Sequence, residues 1–188
     1  MYTAKEQKIL VSLARQSIEH FLTTQKKLSV AIASIPENLR EKRACFVTLR
    51  KELVELRGCI GSLEANRPVY LDVVENAYAA AFEDYRFFPV TLKELPEITI
   101  EISILTPAKP LLFSSPDDLL AQLRVGVDGV VVSRGRHNAT YLPQVWDEIL
   151  NKNDFLSSLC LKAGLAPDDW RKPGLVVSVY QVEVIGEN

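Results

Sequence analysis

The segment LRGCIG, Leu56 to Gly61, concentrates the residue types that could do chemistry. Cys59 lies between Gly58 and Gly61 and follows Arg57 by two positions. A cysteine becomes a nucleophile or a ligand where a cation or a helix N-terminus favours its thiolate, and glycines let a ligand approach the backbone closely. A buried, inert thiol in a hairpin is the alternative, because free cysteine is among the most buried residue types. The chemistry of the segment leaves both interpretations open.

A catalytic cysteine usually has a histidine as its base, and the chain contains two histidines. His20 falls in a predicted helix. His137 falls in the stretch SRGRHNAT, which we interpret as a loop, where functional residues are common. A Cys59–His137 pair therefore depends on the fold bringing the two together. With two histidines and no CxxC motif, the sequence predicts neither a metal site nor a bound cofactor.

Charged side chains offer an anion site or structural ion pairs. Arg57 and Arg86 would orient an anionic group of a small molecule, or Arg86 would pair with Asp84 or Glu101. Nothing in the spacing of the carboxylates singles out one acid–base pair. GCIG is neither of the glycine-rich phosphate motifs, GxGxxG and GxxxxGK[ST].

The composition is that of a globular protein. Of 188 residues, 24% are charged, and the net charge is −2. A general nucleic-acid binder needs a surplus of Lys and Arg, so this balance argues against that function. Three cysteines are an odd number and favour reduced thiols in a cytoplasm over a disulfide framework. The chain has no run of about 18 apolar residues and no apolar signal-peptide core, so we expect no membrane partner and a cytoplasmic location.

The periodicity of apolar residues predicts both helices and strands. Thr3 and Glu6 have the spacing of a capping box before the first helix. The stretches ACFVTLR and LVELRGCIGSL predict a hairpin that turns near Lys51 and Glu52, followed by a helix with Pro68 in its first turn. EITIEISIL alternates isoleucines with polar residues and places Glu101 on the polar face.

The second half of the chain shows weaker patterns. We expect a short helix capped by Ser115, a turn at Asp128–Gly129, and a helix that begins near Pro143. A later helix would have Asn153 as its N-cap, and LVVSVYQVEVI would close the chain as one strand. Strands and helices do not alternate strictly, which favours α+β over a doubly wound sheet. The two halves share a plan of strand, glycine turn, strand and helix, which suggests an internal duplication.

Six blocks, in order along nearly the whole chain, resemble the AMMECR family, known in microbes as protein A of the AmmeMemoRadiSam system. The blocks are FVTLR…LRGCIGSL, VVENAYAAAFEDYRF, ITIEISIL, GVDGVVV, ATYLPQVWDE and LCLKAGL…DDW. LRGCIG is the most recognisable signature of that family. The matching positions outside it are Asp84, Arg86, Phe87, Thr140, Leu142, Pro143, Gln144 and Trp146. His137 matches no fixed feature of the family pattern, which weakens the Cys59–His137 pair.

The resemblance implies one AMMECR-type domain over residues 1–188, built from two unequal subdomains of mixed or antiparallel sheet and flanking helices. It implies a site at a cleft between them, with Cys59 as the candidate catalytic residue. Arg57, Gly58, Gly61, Arg86, Glu101, Thr140 and Gln144 would bind a substrate or a partner. It also implies an association with a Memo-like protein and a radical SAM protein. Whether the chain is an enzyme, a substrate-handling subunit or a non-catalytic adaptor stays open.

Overall fold

The computed structural model describes residues 1–52 and 55–187, and it confirms the α+β class. Two sheets of four strands each are present in the described residues. The chain divides into two units. The first comprises Met1–Leu105 and the residues from Glu183 onward, and the second comprises Thr106–Val182. Each unit has its own hydrophobic core.

The first unit contains two long helices and one sheet. Its elements are α1 (Ala4–Thr24), β1 (Cys45–Lys51), β2 (Glu55–Gly61), α2 (Val69–Phe82), β3 (Ile98–Leu105) and β8 (Val182–Gly186), with 3₁₀ turns at Ile32–Ser34, Glu37–Arg40 and Leu95–Glu97. The predicted capping box is confirmed, because the Thr3 side chain accepts from the Glu6 backbone N–H and Glu6 reaches back to Thr3. Pro68 directly precedes α2, where its missing N–H costs no helical hydrogen bond.

The strand order of the first sheet is β2-β1-β3-β8, and both β1–β2 and β1–β3 are antiparallel. Val47 and Leu49 on β1 are fully buried in the same core as residues of α1 and α2. Side chains on a strand alternate between faces, so Thr48, which is itself buried, points to the face away from this core. We call that face the outer face of the sheet. The predicted second strand of the hairpin began at Leu53; Leu53 and Val54 lie outside the described residues.

The second unit contains the other sheet, in the order β4-β7-β5-β6. Its elements are β4 (Lys109–Pro110), α3 (Pro116–Gln122), β5 (Gly129–Arg134), β6 (His137–Tyr141), α4 (Lys152–Lys162) and β7 (Val176–Tyr180), with 3₁₀ turns at Pro143–Asp147 and Asp169–Arg171. Trp146 stacks on Phe155 in the core, with ring centroids 3.5 Å apart. Ser115 caps α3 as predicted, by accepting from the Asp118 N–H.

The structure corrects four local predictions in this unit. His137 begins strand β6 instead of lying in a loop, because residues 137–141 pair with β5. The segment after Pro143 forms a 3₁₀ turn, not an α-helix. The N-cap of α4 is Asn151, whose side chain accepts from two backbone N–H groups. The predicted turn at Asp128–Gly129 lies earlier, at residues 125–127, and Asp128 closes it by pairing with Arg124.

The C-terminal strand also differs from the prediction. Gln181 interrupts LVVSVYQVEVI, so that β7 joins the second sheet and β8 joins the first. The proposed duplication assigned Ile98–Leu105 to the second half, but this strand pairs with β1 in the first sheet. The two sequence halves that were compared therefore do not coincide with the two structural units.

Candidate functional site

Cys59 lies within β2, which is an edge strand of the first sheet. It is directly opposite Thr48 on β1, and Thr48 is directly opposite Glu101 on β3. Residues paired across antiparallel strands share a face, so the three side chains form a row on the outer face. The Thr48 hydroxyl donates a hydrogen bond to Cys59 Sγ, at 3.3 Å.

The three cysteines differ in their exposure. Cys45 and Cys160 are fully buried, and burial raises the pKa of both thiols. Cys59 is partly exposed. All three are free thiols in the structure.

An ion pair covers the outer edge of β2 at Cys59. Asp84 accepts the backbone N–H of Cys59 at 2.9 Å, and Arg86 Nη2 donates to the Cys59 carbonyl at 3.2 Å. Arg86 also binds both carboxylate oxygens of Asp84, through Nε at 2.9 Å and Nη2 at 2.7 Å. The pair thus satisfies the backbone N–H and carbonyl of Cys59, as a neighbouring strand would. By holding this backbone in place, it also fixes the position of the thiol. We call this arrangement the Asp84–Arg86 clamp.

The clamp is an ionic structure at neutral pH. The Asp84 side chain is almost completely buried, whereas the Arg86 side chain is 43% exposed. Hydrogen bonds from Arg86 hold the pKa of Asp84 well below its usual range, and the Cys59 N–H acts in the same direction. Of the two partners predicted for Arg86, Asp84 is therefore the one that binds it.

Arg57 occupies an irregular position in β2. Leu49 lies opposite Gly58 and Arg50 lies opposite Leu56, so Arg57 is the extra residue of a β-bulge. Bulges redirect side chains and are frequent next to functional sites. Arg57 donates to Glu94 through Nε, at 2.5 Å, and Nη2, at 3.2 Å. Its Nη1 is buried and makes no hydrogen bond to the described residues.

Phe87 lies between the two arginines of the site. The Arg86 guanidinium carbon is 5.4 Å from the centre of its ring, and that of Arg57 is 6.0 Å away. Both distances are within the range of a cation–π contact. The loop after α2 thus brings Asp84, Arg86 and Phe87 to β2 together.

The two glycines of LRGCIG allow close packing inside the protein. A Cβ on Gly58 would lie 2.1 Å from the Ala80 carbonyl oxygen of α2, and one on Gly61 would lie 2.2 Å from the Phe46 ring. Gly58 therefore sets the distance between β2 and α2. A ligand-binding role for either glycine stays a prediction.

The remaining predicted residues lie in the second unit. Thr140 on β6 is buried, and its hydroxyl bonds the Val130 carbonyl at 2.9 Å and the Tyr180 hydroxyl at 3.0 Å. Gln144 is exposed on its 3₁₀ turn. His137 Nδ1 lies 3.1 Å from the Ala163 carbonyl oxygen. The roles predicted for these three residues stay predictions.

Sequence reasoning missed two residues of the site, Thr48 and Glu94. Thr48 belongs to a predicted strand, and its position opposite Cys59 follows from the hairpin register. No Asn-Gly or Asp-Gly turn fixed that register in the sequence. Glu94 is separated from Arg57 by 37 positions, and no local pattern connects them.

Two general features of the described residues bear on the site. No group of three or more His, Cys, Asp or Glu side chains within residues 1–52 and 55–187 comes together as a metal site would require. In the same residues, no helix has both the length and the apolar character needed to cross a membrane.

Comparison with known proteins identifies relatives along the whole chain. A protein from Methanopyrus kandleri, Protein MK0488, is 42% identical over 98% of this chain and 90% of its own length. A protein from Thermofilum pendens is 40% identical over 98% of this chain and 91% of its own. The crystal structure of the uncharacterized protein PH0010 from Pyrococcus horikoshii matches with a TM-score of 0.85 and 34% identity, covering 99% of this chain and 93% of that one. The family model AMMECR1 matches residues 11–185, and the chain belongs to the AMMECR1 family.

Proposed function

We propose that the chain is a substrate-handling protein that holds a small molecule on the outer face of its first sheet, at Cys59. One observation carries this proposal. Cys59 is the partly exposed thiol of the three, and the Asp84–Arg86 clamp binds both its backbone N–H and its backbone carbonyl. A reactive or binding group needs such preorganisation, because a loosely held side chain pays an entropic cost on binding.

The surroundings of Cys59 favour a ligand with carboxylate or phosphate oxygens. Arg57 Nη1 is a buried donor with no acceptor among residues 1–52 and 55–187, and leaving such a donor unpaired costs about 1–3 kcal/mol. An oxygen of a bound anion would remove this cost. The role of Arg57 in orienting an anionic group is thus the more specific part of the proposal.

Cys59 acts in this proposal as a contact to the bound molecule, with Thr48 as the hydrogen-bond donor to its sulfur. Asp84 is not placed as a base for the thiol, because its carboxylate is engaged by Arg86 and by the backbone N–H of Cys59. Glu101 is the third residue of the row that begins at Cys59. The Memo-like and radical SAM proteins implied by the family resemblance would supply or consume the bound molecule.

Thiol reactivity tests the accessibility of Cys59. On treatment of the native protein with iodoacetamide, we expect Cys59 to be alkylated while Cys45 and Cys160 stay unmodified, because both are fully buried. Peptide mass spectrometry measures the three sites separately. Denaturation in guanidinium should make all three react, and Cys59→Ser should remove the fast site. Labelling of Cys45 or Cys160 as fast as Cys59 in the native protein would contradict the proposal.

Complementation tests whether this thiol is needed for function. A strain that lacks the chain would receive the wild type, Cys59→Ser or Cys160→Ser at matched protein levels. The proposal predicts loss of complementation for Cys59→Ser alone. Full complementation by Cys59→Ser would leave the thiol without a functional role.

A second function, a non-catalytic adaptor, is favoured by the loop after α2. Tyr85 is 94% exposed, Phe88 is 90% exposed and Leu92 is 56% exposed. Buried Asp84 and Val90 anchor this loop, and the Val90 N–H donates to the Ala81 carbonyl. Large apolar side chains on an anchored loop are typical of residues that dominate the affinity of protein interfaces.

For the adaptor function we expect the double substitution Tyr85→Ser/Phe88→Ser to weaken the association with a Memo-like or radical SAM protein about tenfold or more. Co-purification and a titration of the purified proteins measure the effect. The matched control is Leu150→Ser/Leu161→Ser, at two other exposed apolar positions. Equal loss in both variants, or unchanged association in the first, would reject the loop as a docking element.

A further inference from the structure

Helix α1 has an outer surface that no described element covers, with a groove on either side of a narrow ridge. Ala4, Lys8 and Ser12 follow one another at intervals of four residues and border both grooves. The larger groove, of about 660 Å³, lies between α1 and the turn at Ser34–Ile35. The smaller, of about 630 Å³, lies between α1 and β8.

The walls of the grooves are partly apolar. Ile9, Leu13 and Ile35 line the larger groove, and Val11, Val184 and Ile185 line the smaller one. Leu13, Ile35 and Ile185 belong to the core, whereas Val184 is 52% exposed. A continuous ridge at intervals of four residues, flanked by two grooves, is the surface against which another helix packs.

The charges on this surface are unbalanced. Lys5 and Lys8 line the larger groove, and no acidic residue lines it. Neither lysine has a salt-bridge partner among the described residues. Glu6, which follows Lys5 in the sequence, keeps its negative charge, because its hydrogen-bond partners Thr3 and Asn38 are neutral, but it does not line the groove. In the smaller groove the one acidic side chain, Glu187, is bound by Arg15.

We propose that this surface of α1 binds an amphipathic helix of a partner protein, with acidic side chains on the partner that meet Lys5 and Lys8. The apolar face of the partner helix would fill the two grooves, and its small-residue positions would lie over Ala4 and Ser12. Helix-in-groove recognition uses this combination of apolar anchors and flanking charges. The surface is built from residues other than those of the Cys59 site, so the proposal is independent of the proposed function.

The test uses two synthetic helical peptides labelled with fluorescein and the full-length protein. One peptide carries leucines at intervals of three and four residues with flanking glutamates, and the other has lysines in place of the glutamates. Fluorescence anisotropy should show saturable, salt-sensitive binding of the acidic peptide and at least about tenfold weaker binding of the basic one. Amide chemical-shift changes should map to Val11 and Ser12 and not to Cys59.

Reversing the charge of Lys5 and Lys8 tests whether the peptide binds at this surface of α1. Lys5→Glu/Lys8→Glu should weaken binding of the acidic peptide about tenfold or more, whereas Lys26→Glu/Lys93→Glu, the same charge change at two exposed lysines elsewhere in the first unit, should leave it within about twofold. Circular dichroism of both variants should match the wild type. Absence of binding, or equal loss in both variants, would overturn the proposal. So would Lys5- and Lys8-dependent binding to phosphatidylserine vesicles without binding of the acidic peptide.

Discussion

Gly58→Ala should destabilise the protein by about 3 kcal/mol, because the added methyl group has no space. Its carbon would lie 2.1 Å from the Ala80 carbonyl oxygen, 3.1 Å from the carbonyl carbon and 3.7 Å from the Ala80 Cα. All three contacts are with the backbone of α2, so no side-chain rotation relieves them. Either α2 or β2 must move, and both belong to the core of the first unit. Urea denaturation of the purified variant measures the loss.

The control for this substitution is Gly186→Ala in β8 of the same sheet. A Cβ there would lie 3.4 Å from the Ile100 carbonyl oxygen, an ordinary contact distance. We expect a change in the free energy of unfolding of less than about 1 kcal/mol. Equal effects at the two positions would mean that the close approach of β2 and α2 does not explain Gly58. Because Cys59 is the next residue, Gly58→Ala should also alter the rate at which iodoacetamide alkylates Cys59.

Asp84→Ala should lower the free energy of unfolding by about 2–3 kcal/mol at pH 7. The substitution leaves the Cys59 N–H and the Arg86 guanidinium without their acceptor. Breaking a fully buried ion pair costs about 3–5 kcal/mol, and the partial exposure of Arg86 lets water replace part of the lost interaction. The control is Asp168→Ala, which removes an exposed pair with Arg171 and should cost less than about 1 kcal/mol.

The pH dependence of this effect has a definite sign. The folded state lowers the pKa of Asp84 below the value of about 3.9 found in unfolded chains. The carboxylate therefore stabilises the fold fully above that value, and the contribution is lost as the pH falls through it towards the lower pKa of the folded state. The difference between wild type and Asp84→Ala should be constant from pH 6 to pH 8 and should shrink below about pH 4. A difference that grows on acidification would contradict the assignment.

The sequence by itself determined the elements whose signals are local. The capping box of Thr3 and Glu6, the alternation of EITIEISIL and the Ser115 cap of α3 all act within a few residues, and all three are found in the structure. The stretch LVELRGCIGSL also predicted the strand that carries Cys59, whereas its position at the edge of the sheet comes from the structure. The sequence did not determine whether the Cys59 thiol is exposed, because the burial of a thiol depends on which other parts of the chain cover it.

Tertiary pairing decided the rest. Residues 137–141 became a strand because β5 lay beside them, and Gln181 separated two strands that join different sheets. The Asp84–Arg86 clamp joins the loop after α2 to β2, and Asp84 is 25 positions from Cys59 in the sequence. Arg57 and Glu94 are 37 positions apart. The Arg57–Glu94 pair has no local signal. Arg86 is only two positions from its partner Asp84, but the contact of Asp84 with the Cys59 N–H depends on the packing of α2 against β2 at Gly58. Contacts of that kind depend on the register of a sheet and the approach of a helix, which many distant residues set together.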